Sequence, residues 1–432
     1  MADLASHRPC WRPVPESVVE LCGLPVDGGI VARQDGSLLM VHLADAPSGL
    51  ARRVSADGGR SWSAAEPLRD THFDGAQACG LVRLQSGELA LYHGTPKAGW
   101  RLSLSADDGD SWALAGTITT FPYYFPMYHS LIELASGRLL VCGYWQTQEP
   151  VLGLERLGST GWGWWRGKVL YMEGHRAASV GFCFTYVSDD KGRTWKQSPD
   201  ELIRGIFGWF DAHGELNGAG GIVDLYEPTA AETADGRVLL LARSKTGRLV
   251  QSYSNDGGLT WYPAEPTELA SSQSPPLLVR IPSTGDLLCV WNQVSGEEIR
   301  RGFLRGRLSA AISTDSGLTW QHFRTLELQA GMEDRARIEP EFPIPRSLVG
   351  RSPFGRLPDG FAMFTYPNVD LVGDHVFVRY LRGWPEPVAE SGDRRAPRGA
   401  PRMWPEYEER EAQIVFETVL RRYPLRWFYT DE

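Results

Sequence analysis

Short apolar runs recur along the 432-residue chain, and each is preceded by a polar turn that contains glycine. Val238–Ala242, for example, is an uninterrupted apolar run that follows the pair Asp235-Gly236. Asp-Gly is a hairpin signal, and apolar runs of this length between turns are typical of strands. The sequence therefore predicts six antiparallel hairpins, with turn glycines at Gly36, Gly87, Gly137, Gly236, Gly285 and Gly373.

An eight-residue turn follows each of the first five hairpins, with the pattern Ser-x-Asp-x-Gly-x-Ser/Thr-Trp. The Asp can accept hydrogen bonds from backbone N–H groups of the turn, the Gly can take a positive φ, and the Trp can pack between sheets. The copies span residues 55–62, 105–112, 188–195, 254–261 and 313–320. Repeats of a few strands each indicate a β-propeller.

We therefore predict an all-β protein with a six-bladed β-propeller as its single domain over residues 1–432. The predicted blades span approximately residues 25–62, 73–112, 121–195, 221–261, 274–320 and 361–429. Residues from Val14 to Leu21 are candidates for completing the last blade, and the long connection from Gln321 to Phe364 is expected to reach over the channel mouth.

The eight-residue turn is the Asp box, and five Asp boxes on six hairpins resemble the sialidase (neuraminidase) superfamily of six-bladed propellers. In that superfamily the boxes lie on the outer rim, so we expect their aspartates to stabilise the fold. They are Asp57, Asp107, Asp190, Asp256 and Asp315. The resemblance implies an exo-acting glycoside hydrolase that cleaves a terminal, carboxylate-bearing sugar.

The same resemblance indicates three catalytic and two substrate-binding residues. Asp45 lies in a DAP segment shortly before the first box, where sialidases hold the acid/base. Glu227 and Arg243, sixteen residues apart across a hairpin, match the Glu that assists the nucleophile and an Arg that binds the substrate carboxylate. Arg305, eight residues before the last box, matches another such Arg, and Tyr366 matches the Tyr nucleophile.

Each of these assignments has a structural alternative. An Asp in a Pro/Gly loop is commonly a turn residue, and Glu227 with Arg243 could form a plain salt bridge. Tyrosines are frequent in strands. Arg301 and Arg307 compete with Arg305, since several arginines in a row also describe a solvated loop.

One position departs from the sialidase pattern. Where those enzymes carry the first of three carboxylate-binding arginines, in an Arg-Ile-Pro segment, this chain has Gly23-Leu24-Pro25. If the substrate bears a carboxylate, we expect another cation to fill this place, with Arg301, Arg346 and Arg351 as candidates. If none does, a neutral sugar is favoured.

Composition narrows the partners further. The net charge of −9 argues against a nucleic-acid partner, and six scattered cysteines without CxxC spacing indicate neither zinc nor a disulfide framework. Neither a signal peptide nor a membrane segment is evident, so we expect a cytoplasmic protein. No cofactor is implied; the expected partner is a glycan or glycoside, with neither nucleic acid nor membrane, and the oligomeric state stays open.

Two other functions remain open from the sequence. A non-catalytic carbohydrate- or protein-binding propeller is one, favoured if the missing arginine means that the site has decayed. The other is a polysaccharide lyase on a similar propeller, with Tyr or His as the base against a uronate.

Overall fold

The computed structural model describes most of the chain. The described residues are 11–44, 49–95, 99–120, 131–146, 161–165, 168–172, 181–199, 205–206, 209–210, 216–217, 222–223, 225–342, 344–345, 360–387 and 412–430. Among the residues singled out from the sequence, Asp45, Arg346 and Arg351 lie outside these ranges.

Six four-stranded antiparallel sheets form the blades of a β-propeller, which confirms the predicted architecture. The strands of the first three blades are, in blade one, β2 Gly29–Ala32, β3 Leu38–Leu43, β4 Leu50–Ser55 and β5 Glu66–Pro67; in blade two, β6 Ala78–Arg83, β7 Leu89–Thr95, β8 Gly99–Ser105 and β9 Ala113–Thr119; and in blade three, β10 Leu131–Glu133, β11 Leu139–Gln146, β14 Gly181–Ser188 and β15 Lys196–Gln197. The strands of the other three blades are, in blade four, β20 Tyr226–Glu232, β21 Val238–Arg243, β22 Arg248–Ser254 and β23 Glu265–Ala270; in blade five, β24 Leu277–Arg280, β25 Leu287–Trp291, β26 Arg307–Ser313 and β27 Gln321–Leu328; and in blade six, β1 Val19–Cys22, β28 Met363–Val372, β29 His375–Pro387 and β30 Ala412–Pro424. Three two-stranded sheets lie outside the blades and consist of β12 Gly161–Trp165 with β13 Lys168–Met172, β16 Gly205–Ile206 with β19 Ile222–Val223, and β17 Trp209–Phe210 with β18 Leu216–Asn217. Within the described ranges, a short helix, α1 Gly296–Arg300, precedes β26, and 3₁₀ helices span Thr71–Phe73 and Leu425–Phe428.

The ring closes with strands from both parts of the chain. β1 pairs with β30, so an N-terminal strand completes the C-terminal blade. In blades one to five the fourth strand follows the Asp box, and the sheets therefore extend beyond the box that ends each of the first five predicted blades. Closure of this kind leaves no unpaired blade at the join.

Apolar clusters fill the interfaces between neighbouring blades. One cluster joins blades six and one through Phe377, Leu420, Ile30 and Met40, and the other five interfaces have equivalent clusters. The second strands of blades one, four and five are buried on both faces, which is why they appear in the sequence as apolar runs without alternation.

The five Asp boxes form the same hydrogen bonds. In the second box, the Ser105 hydroxyl donates to Asp107 Oδ1 at 2.8 Å, and the backbone N–H and hydroxyl of Ser111 donate to the two carboxylate oxygens at 2.9 and 2.5 Å. The Gly109 N–H donates to Ser105 Oγ at 2.8 Å. These contacts close each turn on its own aspartate.

The glycine of each box is required by its conformation and by its neighbour. Gly109 has φ 89°, and a Cβ there would lie 2.5 Å from Cδ2 of Leu39 in the preceding blade. The corresponding glycine of the next box, Gly192, would meet Leu102 of the preceding blade in the same way. The boxes therefore hold the blades against one another.

We expect Asp107→Asn to lower the thermal midpoint of unfolding at pH 7 by roughly 2–4 °C. The Ser111 hydroxyl and the other donors of the turn lower the pKa of Asp107 to about 2. A carboxylate with a lowered folded-state pKa stabilises the fold above its usual pKa, and this contribution is lost as the pH falls through the folded-state value. Scanning calorimetry should show the difference between variant and parent shrinking from pH 4 to pH 2. Asn at the exposed Asp74 is the control, and an equal effect there would contradict the assignment.

Two further features concern the chain as a whole. In the described part of the chain, no helix has the length and apolar character needed to cross a bilayer. None of the five described cysteines forms a disulfide with another described cysteine, and four of the five are buried.

Candidate functional site

The four candidate residues that the structure describes lie at one edge of the propeller because of the strand directions. In an antiparallel blade the first strand begins, the second ends and the third begins at the same edge. Glu227 lies at the start of β20, Arg243 ends β21, and Arg305 precedes β26 by two residues. Tyr366 lies near the start of β28. The hairpin turns and Asp boxes lie at the opposite edge of the propeller. The turns that stabilise the fold are therefore separate from the candidate site residues.

Glu227 and Tyr366 occupy matching irregularities in blades four and six. The register of β20 with β21 shifts between Tyr226 and Thr229, and that of β28 with β29 shifts between Thr365 and Asn368. Both residues have positive φ, 45° for Glu227 and 55° for Tyr366. Such a conformation is rare for residues other than glycine, costs on the order of 1–3 kcal/mol and is found at functional sites.

A proline follows each of these two residues, Pro228 and Pro367. Proline has no N–H to donate to the ladder, so inside a sheet it is found at bulges, and a bulge changes the direction in which a side chain points. Two X-Pro pairs at the start of inner strands are the sequence signal for these bulges.

Glu227 and Arg243 form a close ion pair. Arg243 Nη1 lies 2.5 Å from Glu227 Oε2, with side chains 13% and 10% exposed. The pairing of Tyr226 with Arg243 across β20 and β21 brings the two together, as the hairpin spacing predicts. The pair combines a carboxylate that can accept a proton with a guanidinium that can bind an anion.

Arg305 lies against Tyr366. Its guanidinium carbon is 5.2 Å from the centroid of the Tyr366 ring, and its Nη1 donates to the hydroxyl of Thr365. The backbone C=O of Arg305 accepts from Phe364 N–H at 2.8 Å, which ties this segment to β28. Arg305 is 2% exposed. A cation and a phenol are thus held side by side.

Burial raises the pKa of the Tyr366 phenol, and the charge of Glu227 raises it further. The guanidinium groups of Arg305 and Arg243 act in the opposite direction. The raised pKa means that the phenol keeps its proton at neutral pH. The pKa of Tyr366 thus depends on the charges of Glu227, Arg305 and Arg243 as well as on burial.

The two arginines that compete with Arg305 for the carboxylate-binding role form other contacts. Arg307 is fully buried and forms an ion pair with Glu298 of α1, with Nη2 and Oε1 2.9 Å apart. Arg301 is 54% exposed, pairs with Glu297 at 3.9 Å and stacks on Phe303. Of the three neighbouring arginines, Arg305 is the one that contacts Tyr366.

The connection after blade five is anchored at the site edge. Glu341 pairs with Arg300 of α1 through two contacts of 2.6 and 2.8 Å, and its backbone C=O accepts from Arg248 at the start of β22. The first residues of the predicted connection, Gln321–Leu328, form β27. The reach of the remaining segment over the channel mouth stays a prediction. Asp45 and the candidate cations Arg346 and Arg351 lie outside the described residues, and their roles stay predictions.

Comparisons with known proteins agree with the fold. The sequence profile of the family described as "BNR repeat-like domain" matches residues 81–376. No curated protein matches the chain.

Similar solved structures share little sequence with this chain. They include a protein of unknown function from Dyadobacter fermentans DSM 18053, with 15% identity, 94% of this chain and 98% of that chain covered, and a TM-score of 0.49. A Hadza microbial sialidase has 16% identity and a TM-score of 0.46, with 82% of this chain and 63% of that chain covered. The Penicillium chrysogenum alpha-L-arabinanase complexed with arabinobiose has 13% identity and a TM-score of 0.46, with 85% and 94% covered.

Proposed function

This chain belongs to the family of BNR repeat-like domains, and from that premise we propose that it is an exo-acting glycoside hydrolase. The observation that carries the proposal is the meeting of a phenol, a carboxylate and two guanidinium groups at one edge of the propeller. Arg243 pairs with Glu227, Arg305 lies against Tyr366, and Tyr366 interacts with all three charges.

In the proposed mechanism, Tyr366 is the nucleophile. Its oxygen bonds to the anomeric carbon while its proton passes to Glu227, and the bond to the leaving group breaks. In the second half, water attacks the same carbon, the bond between that carbon and the Tyr366 oxygen breaks, and the Tyr366 oxygen regains its proton from Glu227. By resemblance, Asp45 protonates the leaving group and then accepts the proton of the water.

The proposed substrate is a terminal sugar with a carboxylate on its anomeric carbon, as in sialidases. A neutral phenol suits this carbon because an anionic nucleophile would be repelled by the substrate carboxylate, and Tyr is the sialidase exception among glycosidases. Arg243 and Arg305 would bind the carboxylate by charge-assisted hydrogen bonds.

The test is hydrolysis of 4-methylumbelliferyl α-N-acetylneuraminide, followed by fluorescence. We expect release of the fluorophore. If a panel of sialosides, uronides and neutral glycosides yields no product, the binding propeller replaces the hydrolase. An unsaturated product that absorbs in the ultraviolet would indicate the lyase.

Glu227→Gln is expected to lower kcat by about 10²–10⁴-fold, because the amide keeps the shape of the side chain but cannot accept the proton of Tyr366. The change also leaves Arg243 without its ion-pair partner, so activity is measured well below the thermal midpoint of the variant. Glu232→Gln, at the other end of β20 and paired with Arg280 at 3.8 Å, is the matched control. Equal rates for the Glu227 variant and the parent would exclude Glu227 as the base.

A further inference from the structure

Asn292 is a buried polar residue at the site edge to which the proposed mechanism gives no role. It directly follows β25, the second strand of blade five, and it is 0% exposed. The Nδ2 group of its amide donates to the carbonyl of Phe364 at 2.7 Å and to the carbonyl of Arg307 at 3.0 Å. One amide thus binds both the start of β28 and the start of β26.

Both acceptors of the Asn292 amide are close in sequence to candidate site residues. Phe364 precedes Tyr366 by two residues on β28, and Arg307 follows Arg305 by two residues. The same two segments also bond directly, because the Phe364 N–H donates to the carbonyl of Arg305 at 2.8 Å. Asn292 therefore joins the segment that carries the phenol to the segment that carries the guanidinium.

The orientation of the Asn292 amide follows from its partners. Both partners are carbonyl oxygens, which only accept hydrogen bonds, so the NH₂ group must face them. The opposite orientation would place Oδ1 of the amide against two other oxygens. The position of Asn292 is therefore determined by the two segments that it joins.

The backbone of Tyr366 depends on supports of this kind. Tyr366 has φ 55°, a conformation that is rare for residues with a side chain and that persists only where the surrounding structure holds it. At the other end of the bulge, the Asn368 amide donates to the carbonyls of Val26 and Gly28, at 3.1 and 2.8 Å. Amide bonds to blade five and to blade one thus hold the bulge on both sides of Tyr366.

We propose that Asn292 is a positioning residue for Tyr366 and Arg305, a role that rests on the proposed function. The amide sets the spacing between the phenol, which would bond to the anomeric carbon, and the guanidinium, which would bind the carboxylate on that same carbon. Because both groups must reach one carbon atom and its substituent, a change in their spacing misplaces the nucleophile. Asn292 itself is fully buried and acts through the two segments that it joins.

The first test is Asn292→Ala, assayed with the 4-methylumbelliferyl α-ketoside of N-acetylneuraminic acid. The variant lacks both bonds of the amide, whereas Arg305 keeps its contact with the Thr365 hydroxyl. We expect kcat to fall by about 10²-fold, the size of effect that a displacement of about 1 Å can cause. KM should change little, because the substrate carboxylate is still bound while the phenol is displaced.

The matched control is Gln293→Ala. Gln293 is the next residue and is also 0% exposed, and its amide donates to Ser309 Oγ at 3.1 Å and to the carbonyl of Ala336 at 2.8 Å. These partners belong to β26 and to the connection after blade five. Both variants lose buried hydrogen bonds and stability, but kcat of Gln293→Ala should equal that of the parent. Equal losses of kcat in the two variants overturn the positioning role.

A second variant, Asn292→Ser, serves if Asn292→Ala does not fold. A serine hydroxyl donates one hydrogen bond and is too short to join the two carbonyls. We therefore expect a lower kcat here too, measured well below the thermal midpoint of the variant. A kcat equal to that of the parent overturns the proposal.

A readout without substrate completes the test. In protein labelled with 3-fluorotyrosine, the ¹⁹F resonance that is missing in Tyr366→Phe reports the surroundings of the Tyr366 ring. We expect this resonance to shift in Asn292→Ala, because the ring moves relative to the Arg305 guanidinium, whose carbon lies 5.2 Å from the ring centroid. It should keep its position in Gln293→Ala. An unshifted resonance in Asn292→Ala contradicts the proposal, whatever the activity.

The activities also separate this proposal from the proposed function. If Tyr366→Phe is inactive while Asn292→Ala turns over as the parent does, the positioning role is excluded and the proposed function stands. If the parent cleaves no ketoside, the proposed function and the positioning role fall together.

Discussion

Replacing Tyr366 by phenylalanine is expected to lower kcat on the cleaved ketoside by about 10³-fold or more, while the protein still folds. The variant lacks only the oxygen that would bond to the anomeric carbon. The ring keeps its packing against the apolar cluster between blades five and six and its position beside Arg305. Binding of the sugar should therefore persist, and the loss should appear in kcat with little change in KM.

The control for this variant is Tyr262→Phe. Tyr262 is 56% exposed and follows the fourth Asp box, at the edge of the propeller opposite the site. Steady-state kinetics and isothermal calorimetry on both variants separate loss of chemistry from loss of binding. A turnover of Tyr366→Phe equal to that of the parent would contradict the proposed mechanism, because no other group in that mechanism forms the bond to the anomeric carbon.

The architecture could be predicted because its signals are local. Each Asp box closes on an aspartate within eight residues, and each hairpin is set by a glycine between apolar runs, so the repeats are visible without tertiary information. The spacing of Glu227 and Arg243 is of the same kind, because one hairpin joins them. These local signals are sufficient to predict the position of blade four and of the Glu227–Arg243 ion pair.

Contacts between distant parts of the chain could not be predicted. Asp27 and Asn368 belong to segments more than 300 residues apart, and their proximity follows from closure of the ring. Arg305 and Arg307 differ by two positions and have similar neighbours in sequence, yet Arg307 binds Glu298 while Arg305 contacts Tyr366. The direction of each side chain depends on packing around α1 and β28, which the local pattern does not contain.

Arg379→Met is expected to lower the free energy of unfolding by about 3–5 kcal/mol, because it leaves a buried carboxylate without its partner. Arg379 and Asp370 have side chains 0% and 2% exposed, with Nη2 and Oδ2 2.7 Å apart. The same guanidinium also binds the carbonyls of Asp27 and Gly28 and so joins blade six to blade one. Removing it should weaken both the ion pair and the closure of the ring.

Arg52→Met is the matched control, because Arg52 also binds carboxylates and a carbonyl but is 26% exposed. It contacts Asp110 at 2.8 Å, Glu66 at 3.2 Å and the carbonyl of Gly109 at 3.0 Å. Exposed pairs of this kind contribute about 0–1 kcal/mol. Urea and thermal unfolding should therefore show a clearly larger loss of unfolding free energy for Arg379→Met than for Arg52→Met. The double variant Arg379→Met/Asp370→Leu should recover much of the loss, since an apolar pair avoids the unpaired charge. If Arg379→Met were no less stable than Arg52→Met, closure of the ring would depend on β1 and the apolar interfaces alone.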